Sequence, residues 1–321
     1  MGQAAFGILM VAGFCLGALP VFLGLLNHDV AWLLHAASRV LAGQKLFVDL
    51  LENNPPLIVW LSCAPILLAR AVGISEVLAF RLLVLGLIAS SLWVSAWALR
   101  RVLPDQTAAR RLLLFLHLFL LLALPGYHFG QREHLMLALL LPYLLLAFGR
   151  AMGCSLGRHL PWILGILAGV GLALKPHFLL PWVAVEAYLA ARTRRGWRAW
   201  LRPEALAIAV VGLSYAIAVL VLTPEYLSLV QWMTPVYLAS TPASYASLLS
   251  EPAALISMMA WLGFLLVRPG GNHRAYCRVI LISNVSFLVI VLIQDRGYPY
   301  HYYPVMATAV LLFGLLFVDS R

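Results

Sequence analysis

The sequence predicts an all-α integral membrane protein, a polytopic helix bundle of about ten transmembrane helices with interfacial helices in its first extracytoplasmic loop. Three observations carry this. Hydrophobic residues make up 63% of the 321 and charged residues only 11%, whereas globular domains average about half apolar and about a quarter charged. Apolar runs of near-spanning length recur along the whole chain. The arginines gather in short clusters separated by pairs of such runs, the pattern that membrane orientation imposes.

In order, the runs are 6–26, 82–99, 112–126, 133–149, 160–174, 178–191, 205–222, 253–267, 279–293 and 304–318. The first has no lysine or arginine before it and no small-x-small cleavage site, so it reads as a retained span rather than a signal peptide. Several others are nearer 15 residues than 20. Snorkelling arginines and local thinning of the bilayer let such runs cross. An eleventh stretch, "PLIVWLSCAPILLARAVG", is interrupted by Pro65 and Arg70. This proline-broken run of about 13 residues rises only about 20 Å as a helix against a hydrocarbon core of roughly 30 Å. Residues 57–78 are therefore expected to be interfacial or re-entrant.

The basic clusters are Arg100/Arg101/Arg110/Arg111, Arg150/Arg158, Arg192/Arg194/Arg195/Arg198/Arg202 and Arg268/Arg274/Arg278. Together with Arg321 they hold 15 of the 22 basic residues. With two runs between successive clusters, all can lie on one face, which the positive-inside bias makes cytoplasmic. Ten crossings with both ends inside follow. Residues 27–81 then form a first extracytoplasmic loop and 223–251 a second, and the end of the chain soon after its last run leaves no soluble C-terminal domain. The net charge of +10 is explained by these clusters, so nucleic acid is not an expected partner. Cys15, Cys63, Cys154 and Cys277 form no CxxC pair, which argues against a disulfide framework or zinc site.

Within the first loop Val30, Leu33, Leu34, Ala37 and Leu41 repeat at helical spacing, with His28, His35 and Arg39 on another face. That is the pattern of a helix lying in the interface plane. The unusual polar motifs all fall on the same outer side: "NHD" (27–29), "GYHFGQREH" (126–134), "KPHF" (175–178) and "QDRGYPYHYYP" (294–304). An ionisable residue at the end of a span is costly unless it meets water or a partner, which makes each a functional candidate. Structural readings stand beside these. Asp29 serves equally as an N-cap, Glu133 as the ion-pair partner of Arg132, Lys175 as a snorkelling cation, and Arg296 as the partner of Asp295. Tyr298, Tyr300, Tyr302 and Tyr303 suit an interfacial aromatic belt. His28, His128, His134, His177 and His301 lack the spacing of a metal site; a divalent cation is compatible with the sequence but not indicated, and no cofactor is implied.

The order of these motifs resembles the GT-C superfamily of integral membrane glycosyltransferases. The nearest likeness is to its branch of protein O-mannosyltransferases and lipid A aminoarabinose transferase. An acid follows the first span, then "NNPPL" (53–57), "QREH" at the start of a span and "KPH" between two others. The likeness covers roughly residues 1–190 by motif and the remainder by architecture. It implies a polyprenyl-phosphate-linked sugar as donor, used on the periplasmic face, with the first-loop acid assisting the acceptor; Asp29 matches that acid. Asn53 falls in the proline-containing loop segment. Where relatives carry two acids, this chain has His28 beside Asp29. The large C-terminal domain of some relatives is absent, which leaves the acceptor open among glycans, lipids and proteins.

Transfer at an anomeric carbon requires a base for the acceptor hydroxyl and fixed positive charge for the departing phosphate. The first role falls to Asp29. Lys175, Arg132 and Arg296 suit the second, with Glu133 and His177 beside them and His28, Asn53, His134 and His301 in support. No DxD, Walker A or GxGxxG sequence occurs, which disfavours a cytoplasmic nucleotide-sugar enzyme. The rival class is a transporter or flippase of lipid-linked sugars, which would need polar groups through its core rather than in one outer pocket. The arginine-rich composition points to a bacterial inner membrane.

Overall fold

The computed structural model describes residues 2–193, 196–240 and 242–319. Arg194, Arg195 and Arg321 of the basic clusters lie outside the described residues. Within them the chain is helical, with no strand and one isolated bridge between Leu46 and Leu50. The helices are α1 (Gln3–Leu23), α2 (His28–Leu41), α3 (Pro56–Val72), α4 (Glu76–Val102), α5 (Thr107–Leu122), α6 (Arg132–Ala151) and α7 (Leu160–Ala173). After these come α8 (Leu179–Thr193), α9 (Pro203–Leu222), α10 (Glu225–Ala239), α11 (Tyr245–Ser250), α12 (Pro252–Val267), α13 (Gly271–Gln294) and α14 (Tyr303–Asp319). Among the described residues six segments are long and apolar enough to cross a membrane: Gln3–Leu23, Glu76–Val102, Arg132–Ala151, Pro203–Leu222, His273–Gln294 and Pro299–Phe317. Pro56–Val72, Leu160–Ala173 and Pro252–Val267 are apolar but shorter.

Helix boundaries follow local chemistry. Proline opens α3, α9 and α12, where its missing N–H costs nothing. Asn27 caps α2 by accepting from the Asp29 amide at 2.9 Å, and Ser75 caps α4 through the Leu78 amide at 3.2 Å. On α2 Val30, Leu33, Leu34 and Ala37 of the expected stripe are buried and Leu41 is half-buried, while His28, His35 and Arg39 are exposed.

The expected break at Pro65 does not occur. α3 runs without interruption through it for 17 residues, about 26 Å at the usual rise. The proline ring is buried in the bundle. Packing of α3 on α2 and α4 holds the helix together across the lost backbone bond.

Named contacts define two ends of the bundle. Arg81, near the start of α4, donates to the carbonyls of Phe22 and Gly24 at 3.1 and 2.6 Å. The chain between α1 and α4 therefore leaves and rejoins the bundle at one end. Gln131 donates to Asn27 at 2.8 Å, bringing the start of α6 to the start of α2. Tyr303 donates to the Leu120 carbonyl at 2.7 Å, drawing the start of α14 to the last turn of α5. At the opposite end Arg150 of α6 binds Glu204 of α9 at 2.9 and 3.0 Å. α6 is buried along nearly its whole length and contacts α4, α7, α8 and α13.

Small residues let the backbones approach. A Cβ at Gly165 of α7 would stand 2.5 Å from the Glu204 carbonyl and 2.7 Å from the Ala207 methyl, and one at Gly169 would stand 2.9 Å from Val211. Gly165→Ala is expected to destabilise the protein by about 1–3 kcal/mol through overpacking. A lowered unfolding midpoint in detergent would record it, while an unchanged midpoint would refute the contact. A second tie is polar: Asn284 of α13 donates to Ser257 of α12 and Thr308 of α14, and accepts from Trp261 at 2.7 Å.

Candidate functional site

Five segments contribute to one cluster at the end where α1 meets α4: the start of α2, the 3-10 turn Gly126–His128, the start of α6, the 3-10 turn Pro176–Phe178, and the 3-10 turn Pro299–Tyr302. Gly126 at φ 48° opens the first turn and Gly130 at φ 79° follows it, Pro176 opens the second, and Asp295 at φ 50° ends α13 before Pro299 opens the third.

At its centre Lys175 donates to Glu133 at 2.5 Å. Both are buried, at 7% and 2% exposure, so Lys175 faces inward rather than snorkelling. Its ammonium also lies 5.4 Å from the Tyr300 ring and 5.7 Å from the Phe178 ring. Glu133 therefore pairs with Lys175, 42 residues along the chain, and not with adjacent Arg132. Burial strips water from the ammonium and pulls the pKa of Lys175 down to about 8, against the opposing pull of Glu133 and of Asp29. The charges of Lys175, Arg132 and His301 all act on Glu133. Burial first, and then Lys175, lower His177 to about 4, so it is neutral at physiological pH. His128 is lowered as well, chiefly by burial, with Glu133 and Asp29 opposing.

Asp29 is the second residue of α2 and is partly exposed. The cap is Asn27, so the capping role considered for Asp29 falls to its neighbour, which leaves the Asp29 carboxylate unengaged by the backbone. His28 Nε2 lies 3.3 Å from the Asp29 carboxylate and Nδ1 lies 3.2 Å from the Tyr127 hydroxyl. The His28 amide donates to that hydroxyl at 3.3 Å. With the tyrosine proton pointing at Nδ1, the neutral imidazole would carry its own proton on Nε2, facing the carboxylate.

Several buried polar atoms here lack a partner among the described residues: Arg132 Nη1, Glu133 Oε2, His128 Nδ1 and His177 Nε2. Leaving a buried polar group unpaired costs about 1–3 kcal/mol. Four in one cluster, with a guanidinium, a carboxylate and two imidazoles, leave both hydrogen-bond donors and acceptors unspent there.

The remaining candidates have other surroundings. His134 is fully occupied: Nδ1 accepts from the Gly130 amide at 2.8 Å and Nε2 faces the Leu121 carbonyl at 2.9 Å. It fastens the 126–131 turn to α5. His301 packs on Tyr300 at 4.4 Å between centroids, with Nδ1 3.4 Å from the Arg296 carbonyl. Arg296 is buried and donates to the Asp295 carbonyl at 3.1 Å, a backbone contact rather than a carboxylate pair. Asn53 is exposed, whereas neighbouring Glu52 is buried and accepts from Trp32 Nε1 at 2.5 Å and from the Asn54 amide at 2.8 Å. Tyr302 and Tyr303 are buried with satisfied hydroxyls, not placed as an exposed belt. Sequence reasoning passed over Tyr127 and weighed His128 only as a metal ligand, although "GYHFGQREH" held both.

Directly beside the cluster, an apolar cleft of about 260 Å³ opens among α2, α3, α4, α6 and α7. Gly130 and Leu174, each within two residues of a cluster member, line it. Compared with known protein families, curated proteins and solved structures, the chain matches none.

Proposed function

We propose that the chain is a membrane glycosyltransferase of GT-C type that moves a sugar from a polyprenyl-phosphate carrier to a hydroxyl acceptor on the extracytoplasmic face. The acceptor is a glycan, a lipid or a protein. The observation that carries the reading is the convergence of Asp29, Arg132, Glu133 and Lys175 on one cluster that adjoins an apolar cleft. The donor has the same two-part chemistry, a charged sugar phosphate on a hydrocarbon chain.

In this reading the acceptor oxygen forms a bond to the anomeric carbon and its proton passes to the Asp29 carboxylate. The bond from that carbon to the phosphate oxygen breaks, and the electron pair leaves with the phosphate. Arg132 and Lys175 meet the added negative charge in a largely dry setting, where fixed cations act strongly. Glu133 holds Lys175 with one oxygen and presents the other to a sugar hydroxyl. The prenyl chain lies in the cleft. In the same proposal ten helices cross a bacterial inner membrane (α1, α4 to α9 and α12 to α14), α2 and α3 lie at the periplasmic interface, and the cluster faces the periplasm.

Incubating the purified protein in vesicles with defined polyprenyl-phosphate pentoses and hexoses tests this. Release of polyprenyl phosphate with a glycosylated product is expected from at least one donor, and none across the panel would sink it. A pH dependence follows from Lys175. Its ammonium is charged below about 8, so donor affinity of the free protein is expected to fall as pH rises through that value. Affinity that stays flat from pH 7 to 9.5 would remove Lys175 from phosphate binding.

A flippase reading draws on a second buried polar group. Tyr143, midway along α6, donates to Glu186 of α8 at 2.6 Å; Arg202 binds the same carboxylate, and Arg150 binds Glu204. Arg202 Nε also lies 3.4 Å from Glu204, while its Nη1 has no hydrogen-bond partner among the described residues. Lipid scrambling in vesicles without sugar transfer would favour the carrier.

A further inference from the structure

A cavity of about 830 Å³ lies between α1, α4 and α5, at the end of the bundle opposite the Lys175 cluster. Its cause is the packing of α1. In the later half of that helix, Gly13 and Gly17 let it close on α5: a Cβ at either would stand 3.1–3.2 Å from Leu118 or Leu122. Arg81 fastens the last turn to α4. In the earlier half, a Cβ at Gly7 would meet nothing within 4 Å, and the helix stands away from its neighbours. The wedge this leaves runs from Gln3 to Phe14 on α1, about 16 Å along the axis at the usual helical rise. That height matches one leaflet of a hydrocarbon core roughly 30 Å thick.

The walls are apolar except at one end, where Arg100, Arg110 and Arg111 reach the cavity. Arg111 stacks on Phe6 at 5.3 Å, and Arg110 is engaged by the Leu103 carbonyl and the Thr107 hydroxyl of its own turn. Arg100 is exposed, and Arg101 turns aside onto Trp97 and the Leu156 carbonyl. Asp105 is the single acid between residues 100 and 111, so the mouth carries a clear positive excess. A single-leaflet apolar wedge capped by cations fits a two-chain lipid with an anionic headgroup, the chemistry that basic pockets between spans select.

We infer that the α1–α4–α5 wedge is a binding site for an anionic diacyl glycerophospholipid of the leaflet at the arginine-rich end, separate from the donor site. The inference stands on this cavity alone and does not depend on the transfer reaction.

Native mass spectrometry of the detergent-purified protein, given dioleoyl phosphatidylglycerol or dioleoyl phosphatidylcholine, reads the first bound lipid. Wild type is expected to retain the glycerol lipid in clear preference, with about fivefold lost for each arginine removed in Arg100→Gln and Arg100→Gln/Arg111→Gln. Ala96→Phe, which places a ring in the wedge, is expected to abolish the first site while the unfolding midpoint holds. Equal retention of the two lipids by wild type would overturn the inference. So would an undiminished preference in the double arginine variant, or a preference that survives Ala96→Phe.

Discussion

Lys175→Met is expected to lower the unfolding free energy by roughly 3 kcal/mol, the low end of the range for stranding one member of a buried ion pair. The loss comes less from the missing attraction than from the carboxylate left behind. Glu133 is 2% exposed and its Oε2 already lacks a partner, so water cannot replace the 2.5 Å bond from Lys175. Arg132 lies close enough for its charge to act on Glu133, which keeps the cost from rising higher. Adding Glu133→Gln removes the stranded charge, so the double variant is expected to regain part of the loss, with a coupling of about 2 kcal/mol. Unfolding in mixed micelles across the four-protein cycle measures it. Additive single effects would show that the two side chains are not paired.

Asp29→Asn is expected to reduce sugar transfer by roughly 10²–10⁴-fold, the usual contribution of a positioned general base. Donor affinity should hold, because the proposed phosphate ligands Arg132 and Lys175 lie on other segments. Stability should change by less than about 1 kcal/mol, since Asn27 supplies the helix cap and Asp29 adds only its charge near the α2 N-terminus. The informative comparison is turnover against donor affinity in one preparation. Near-normal turnover would take Asp29 out of the base role, and a parallel fall in both would make it a binding group.

Much of the helix content was legible, because hydrophobic periodicity is a local property. The stripe Val30, Leu33, Leu34 and Ala37 on α2 is buried as the spacing requires. Pro65 misled because the penalty for an interior proline is local, whereas the packing that outweighs it comes from α2 and α4. The motif order pointed to the segments of the site but not to its pairings. Neighbours in sequence suggested Arg132 with Glu133 and Arg296 with Asp295; the structure instead pairs Glu133 with Lys175 and gives Arg296 a backbone carbonyl. Successive residues on a helix diverge by about 100°, so adjacency in sequence is poor grounds for an ion pair. His134 looked available for chemistry because nothing in the sequence reveals the Leu121 carbonyl that occupies it. The clamp of Arg150 and Arg202 with Glu186 and Glu204 was hidden inside what read as orientation charge.

That α6 finds its ionic partners only in later segments bears on biogenesis. Glu133 and Arg150 leave the ribosome 42 and 54 residues ahead of Lys175 and Glu204. At ordinary elongation rates that interval is roughly 2–11 s. During it α6, long and apolar enough to cross a membrane, has neither ion-pair partner available. The fastening of Glu133 by Lys175 and of Arg150 by Glu204 then marks the moment at which a provisional hairpin becomes a committed one.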